Sequence, residues 1–239
     1  MATVAGAALA LAVGACESTQ EKAERLRAEG GEILDQEGLS IDKANKGVEV
    51  LETAVLQDEY GTAVAVQLEN TTGEAMLDVP IAIDVRGKGG ESLFRNDTPG
   101  IEPALTSLAV LPARRSVWWV NNQVVATSPA KEVDVKVGAK RAAAPEEQPE
   151  IRLSDLGMDS DTDGPFATGV VENHSDIPQK RLTIFAVARE GGEVVAAGRA
   201  VIDRLEPHPT PKPVRFSIYF IGNPKGAELE LYAPPVELQ

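Results

Sequence analysis

The chain repeats itself, and that limits its folds more than any other feature. Leu68-Glu69-Asn70-Thr71-Thr72 is matched by Val171-Glu172-Asn173-His174-Ser175 at an offset of 103 residues. Residues 81–86 are matched by 184–189 at the same offset, and Gly89-Gly90-Glu91 by Gly191-Gly192-Glu193 at 102. Leu111-Pro112 before residues 117–120 is echoed by Leu205-Glu206-Pro207 before residues 216–220. Each copy closes on an alternating run, 133–137 and 229–232. A near-constant offset over several elements means two copies of one structural unit.

Within a copy the local pattern is that of strands. Residues 62–69 alternate, with Val64, Val66 and Leu68 on one face, and 81–86, 116–120 and 132–137 do the same. Alternation over five to eight residues marks strands with one buried face. Turn formers separate them at 70–73, 87–90 and 96–100. Aromatics are only 4% of the chain, so aliphatic side chains must fill the core. Six or seven short strands in about 90 residues suit an immunoglobulin-like β-sandwich. The expected class is therefore all-β, with two tandem sandwiches at 48–139 and 150–239. Residues 140–149 carry two prolines, charges and no large apolar side chain, which is linker composition.

The N-terminal end reads differently. Residues 4–13 hold no charged or strongly polar side chain. A run of about ten is too short to span a bilayer, which needs about 20, but it suits a secretory signal. Gly14, Ala15 and the single Cys of the chain, Cys16, follow. Val13-Gly14-Ala15-Cys16 resembles the lipobox of bacterial lipoproteins. The resemblance implies a signal peptide at 1–15, removed by cleavage, and a diacylglycerol on the Cys16 thiol. The chain would then sit on a membrane surface at the extracytoplasmic face without crossing it. The other reading is a short Ala-rich core helix with a buried thiol. Residues 16–47 are polar and charged and read as a tether. Residues 21–28 supply about two helical turns, ended by Gly30-Gly31.

The order of elements in each copy is strand, Glu-Asn turn, strand, Gly-Gly-Glu hairpin, strand, Leu-Pro-type turn, strand. It resembles the FxLYD family of small β-sandwich domains of bacterial and archaeal envelope proteins. Gly169-Val170-Val171-Glu172-Asn173 resembles the family's first strand and turn. Residues 185–189 stand at its signature: Phe185 is retained, Val187 replaces Leu, and Ala188 and Arg189 replace Tyr and Asp. The family implies an accessory or interaction module rather than a catalytic site.

Few patterns carry chemistry. Lys and Arg number 23 against 37 Asp and Glu, a formal charge of −14 that repels phosphate backbones and argues against nucleic acid. One Cys forms no intrachain disulfide, and His174 and His208 fall in separate loops. Asp159, Asp161 and Asp163 alternate before Gly164, as carboxylates do in calcium turns. The twelfth position of an EF-hand would be Val170, so only a looser calcium turn, or a solvated acidic hairpin, is left. Trp118 and Trp119 are adjacent in a strand, so one should enter the core and the other lie outside as a partner-binding or sugar-stacking surface. Asn70, Asn96 and Asn173 each begin an Asn-x-Ser/Thr triplet and read as turn residues. The functional expectation is a non-catalytic, lipid-anchored binding or accessory protein with an envelope protein as partner. The alternatives are a calcium-stabilised adhesion module, or an enzyme with its site between the two domains.

Overall fold

The computed structural model describes residues 38–145, 147–207 and 212–238. The signal and lipobox with Cys16, the tether before Gly38, and His208 lie outside the described residues. Residues 38–239 form one compact unit.

The unit is all-β. The first copy contributes β1 (Val48–Asp58), β2 (Gly61–Asn70), β3 (Met76–Gly87), β4 (Ser92–Arg95), β5 (Ser107–Leu111), β6 (Ser116–Asn121), β7 (Ala130–Val137) and β8 (Ala142–Ala143). The second contributes β9 (Ile151–Asp161), β10 (Gly164–Asn173), β11 (Gln179–Glu190), β12 (Glu193–Leu205), β13 (Val214–Tyr219), β14 (Ile221–Gly222) and β15 (Glu228–Tyr232). All pairings are antiparallel. The first copy makes the sheet β1-β2-β6 and a second around β3, which pairs with β4, β5, β7 and β8. The second makes β13-β10-β9 and β14-β12-β11-β15.

The same turn chemistry shapes both copies. Asn70 and Asn173 are fully buried. Asn70 Nδ2 donates to the Glu74 and Leu111 carbonyls, and Asn173 Nδ2 to those of Ile177 and Leu205. Each Oδ1 accepts from the backbone N–H and the hydroxyl of the residue two positions on, Thr72 or Ser175. The Asn-x-Ser/Thr triplets at these two turns are thus internal brackets, in which the hydroxyl satisfies a buried amide oxygen.

The two copies are joined through sheet faces. In β2 and β6, Val64, Val66, Leu68, Val117 and Trp119 point into the core of the first copy. The opposite faces carry Ala63, Ala65, Trp118 and Val120, which are just as buried. Across from them lie Phe185, Val187, Ala197 and Ile221 of the second copy, in the same apolar cluster. Leu182, Ile184, Ala186 and Ala188 alternate with these on β11 and fill the second copy's own core. Sheets β1-β2-β6 and β14-β12-β11-β15 are therefore apolar on both sides and stack on each other. Small residues on β2 and β12 let the layers approach, as close packing requires.

This arrangement corrects two expectations. Neither Trp is exposed: Trp118 keeps 3% of its surface and Trp119 none. Alternation does put them on opposite faces, but both faces are covered, so neither serves as an open partner-binding surface. Trp119 Nε1 donates to the Ala104 carbonyl at 2.9 Å and Trp118 Nε1 to Glu230 at 3.0 Å. The spacers are also partly fixed. Ala142 and Ala143 of the 140–149 segment pair with Leu77 and Met76, and Ala44 bridges Gly138.

The shared layer predicts cooperative behaviour. Trp118→Ala should lower stability by about 3–5 kcal/mol, as large-to-small changes in a packed core do. Val125→Ala, at an exposed position, should change it by less than about 0.5 kcal/mol. Urea unfolding followed by fluorescence and by circular dichroism should give one coincident transition. Two separated transitions would show that the copies do not share a core.

Candidate functional site

The copies differ most between β4 and β5. The offset between equivalent residues is 103 at Asn70 and Asn173 but 94 at Leu111 and Leu205, so the first copy holds nine extra residues. In the second copy this stretch is one continuous strand, β12. In the first it breaks into β4, a loop with a 3-10 turn at Pro103–Leu105, and β5. The break would strand backbone groups of β3. Asn96, fully buried, replaces the missing partner: its Oδ1 accepts from Ile83 N–H, and its Nδ2 donates to the Ile81 and Leu105 carbonyls, all at 2.8 Å. One side chain thus lets the loop leave the sheet without orphaned donors.

The loop lands against the second copy and makes a wall of a cleft with a volume of about 380 Å³. Its apolar surface comes from Pro103 and Ala104 of the loop, Ala109 of β5, Phe185 of β11, and Pro234 and Val236. Ser107 and Thr183 add hydroxyls, and Asp78, Glu102, Lys180, Arg181 and Glu237 supply charge. The C-terminal wall is held by Gln179, which is fully buried. Its Oδ-equivalent oxygen, Oε1, accepts from Val236 and Glu237 N–H, and its Nε2 donates to the Glu237 carbonyl.

Glu102 is the electrostatic centre of the cleft. It accepts from Arg199 Nη2 at 2.7 Å and from Arg181 Nη2 at 2.9 Å. Arg199 is 4% exposed at its side chain and also donates from Nε to Asn122. Burial by itself would raise the Glu102 pKa, but the hydrogen bonds and charges of Arg199 and Arg181 outweigh it and hold the carboxyl below its ordinary value. A guanidinium this buried is tolerated only beside such a partner. Arg199 Nη1 finds no acceptor among the described residues.

Backbone strain marks the same place. Asp78 and Arg181 occupy equivalent positions in the two copies, in β3 and β11, each skipped by the pairing ladder without a change of register. Their φ angles are 46° and 51°. The left-handed region is uncommon for non-glycine residues. Both side chains line the cleft, with opposite charges.

A second polar cluster bridges the copies elsewhere. The Arg189 guanidinium lies 5.5 Å from the Trp118 ring centroid, 3.0 Å from Glu52 and 3.7 Å from Glu230. Tyr232 donates to the Val110 carbonyl at 2.9 Å, and burial pushes its hydroxyl pKa up. These groups are engaged with one another and serve as clamps.

The acidic triplet is placed at the β9–β10 hairpin. Asp161 accepts from Asp163 N–H and from the Tyr219 hydroxyl, and Asp159 from Ser160 N–H. No group of three His, Cys, Asp or Glu side chains able to hold a metal ion is present among the described residues, Asp159, Asp161 and Asp163 included. Asp159 and Asp161 use their carboxylates as acceptors within the hairpin and toward Tyr219. His174 Nε2 lies 3.5 Å from Glu172, away from the cleft.

Sequence reasoning missed Glu102, Arg181 and Arg199. They are separated by up to 97 positions and match no motif. Two signals did point to them: the nine-residue excess in the first copy, and the unbroken apolar run of 184–188, which marks a strand buried on both faces.

The pH dependence follows from Glu102. Its pKa is lower folded than unfolded, so its stabilisation is complete above the unfolded value of about 4.3 and is lost as pH falls through the folded one. Glu102→Gln should cost about 2 kcal/mol near neutral pH, the scale of a hydrogen bond to a charged group. Urea titrations from pH 7 to pH 3 should show this deficit shrinking as the wild type acidifies. A constant deficit would show that the charge of Glu102 is not what the arginines use. Comparison of the chain with protein-family models and with curated proteins found no match.

Proposed function

We propose that this chain is a lipid-anchored, extracytoplasmic binding protein that acts as a non-catalytic accessory module at the cell envelope. The apolar run ending at Cys16 supports the anchor. The likeness of the two copies to FxLYD domains supports an accessory role. The observation that carries the binding role is the cleft between the copies: an apolar floor with charged groups at its margin, held by two stacked sheets. Such pre-formed, mostly apolar concavities with a few polar groups are the usual ligand sites of proteins.

The chemistry of the cleft favours binding over catalysis. A general acid or base needs a pKa brought toward the working pH. Glu102 is moved the other way and is committed to two arginines. Its charge organises the wall.

Membrane fractionation of the wild type and Cys16→Ser tests the anchor. The wild type should sediment with membranes and the variant should be released. Equal retention of the variant would overturn the lipid attachment. Cross-linking from intact membranes with a C-terminally tagged chain tests the accessory role. A single envelope protein captured by the wild type and lost in Ala109→Trp would place that partner at the cleft.

A further inference from the structure

Three charged groups at the cleft are without an engagement. Among the described residues, no hydrogen bond or ion pair involves the side chains of Asp78, Lys180 or Glu237, and Arg181 commits one nitrogen, Nη2, to Glu102. Arg181 is 64% exposed at its side chain and retains donors for a further acceptor. The margin therefore offers two cations and two carboxylates in addition to the internally paired Glu102. They surround an apolar surface made by Pro103, Ala104, Ala109, Pro234 and Val236. The two residues in the left-handed region, Asp78 and Arg181, supply one charge of each sign, one from each copy. Strain at equivalent positions that both line one cavity is the kind of outlier that accompanies ligand sites.

A purely anionic ligand would meet Asp78 and Glu237 in the same cavity, and a purely cationic one would meet Lys180 and Arg181. A purely apolar ligand would desolvate all four without compensation. A ligand bearing one charge of each sign on an apolar body satisfies every group. We infer that the cleft binds a small zwitterion with an apolar side chain: an α-amino acid such as leucine or phenylalanine, or a short apolar peptide. The carboxylate pairs with Arg181 and Lys180. The ammonium pairs with Asp78 and Glu237. The side chain covers Ala109 and Val236. A guanidinium binds a carboxylate strongly because it offers parallel donors. The volume of about 380 Å³ lies near the lower end of small-molecule pockets, which suits a ligand of this size.

This inference rests on the cleft being the binding site, and not on the anchor. The test is calorimetric titration of full-length protein in detergent with L-leucine, L-phenylalanine and the dipeptide Leu-Leu. N-acetyl-leucine, which lacks the ammonium, and leucinamide, which lacks the carboxylate, are titrated beside them. At least one of the three zwitterions should bind, and each blocked analogue should bind at least tenfold more weakly than leucine. Tighter binding of leucine than of Leu-Leu would assign a free amino acid, and the reverse a peptide. Arg181→Gln should abolish the preference for leucine over leucinamide while keeping that over N-acetyl-leucine, and Asp78→Asn should do the converse. Should either variant fail to fold, Ala109→Leu, which fills the cleft without touching a charge, should abolish binding. Absence of binding by all three zwitterions would overturn the inference, as would blocked analogues binding as well as leucine. Cys16→Ser protein should titrate like the wild type, so failure of the ligand and failure of the anchor are read separately.

Discussion

The stacking of β1-β2-β6 on β14-β12-β11-β15 is the contact on which the rest depends. Each of these sheets already covers a core on its other face, so their mutual burial adds a third apolar layer between the copies. Trp118 is the largest side chain on this layer from the first copy, and Phe185 is its counterpart from the second. Burial of such aromatics contributes several kcal/mol each at the usual area scale. The layer also fixes the position of everything at its margins. Glu102 reaches Arg199, and Arg189 reaches Trp118, only because the sheets are in contact. The cleft is the place where the stacking ends.

Two copies of one template have taken different roles through small changes. Both keep the buried Asn bracket and a left-handed residue at the same strand position. That residue is Asp78 in one copy and Arg181 in the other, which places opposite charges at a shared cavity. One copy keeps a continuous β12, while the other breaks the same strand and extends a loop. That break needs Asn96 to restore hydrogen bonds to β3. Arg189, matched by Arg86 in the first copy, is turned to the junction and binds Glu52 of the other copy. The departures from the repeat fall at the junction between the copies.

Much of the fold was legible because strands report themselves locally. Alternation in 62–69 and 81–86 and the turn residues at 70–73 located β2, β3 and the bracket between them. The Trp pair was half legible. Period two assigns adjacent residues to opposite faces of a strand, but it says nothing of what covers each face. Gln67 and Ser116 share the outer face with Trp118, and the second copy covers Trp118 there all the same. The Asp159–Asp163 run was legible as a turn, and it forms the β9–β10 hairpin.

The sequence by itself determined the all-β class, the internal duplication, the strand pattern and the excess of residues between β4 and β5. These are set by side-chain period and by turn chemistry, which act over a few residues. Tertiary structure alone decided that the two copies share a buried layer, that both tryptophans are buried, one in that layer and one in the first copy's core, and that Glu102 meets two arginines 79 and 97 positions away. Those outcomes depend on which sheet face finds an apolar partner, and burial is a property of surfaces brought together rather than of any segment alone.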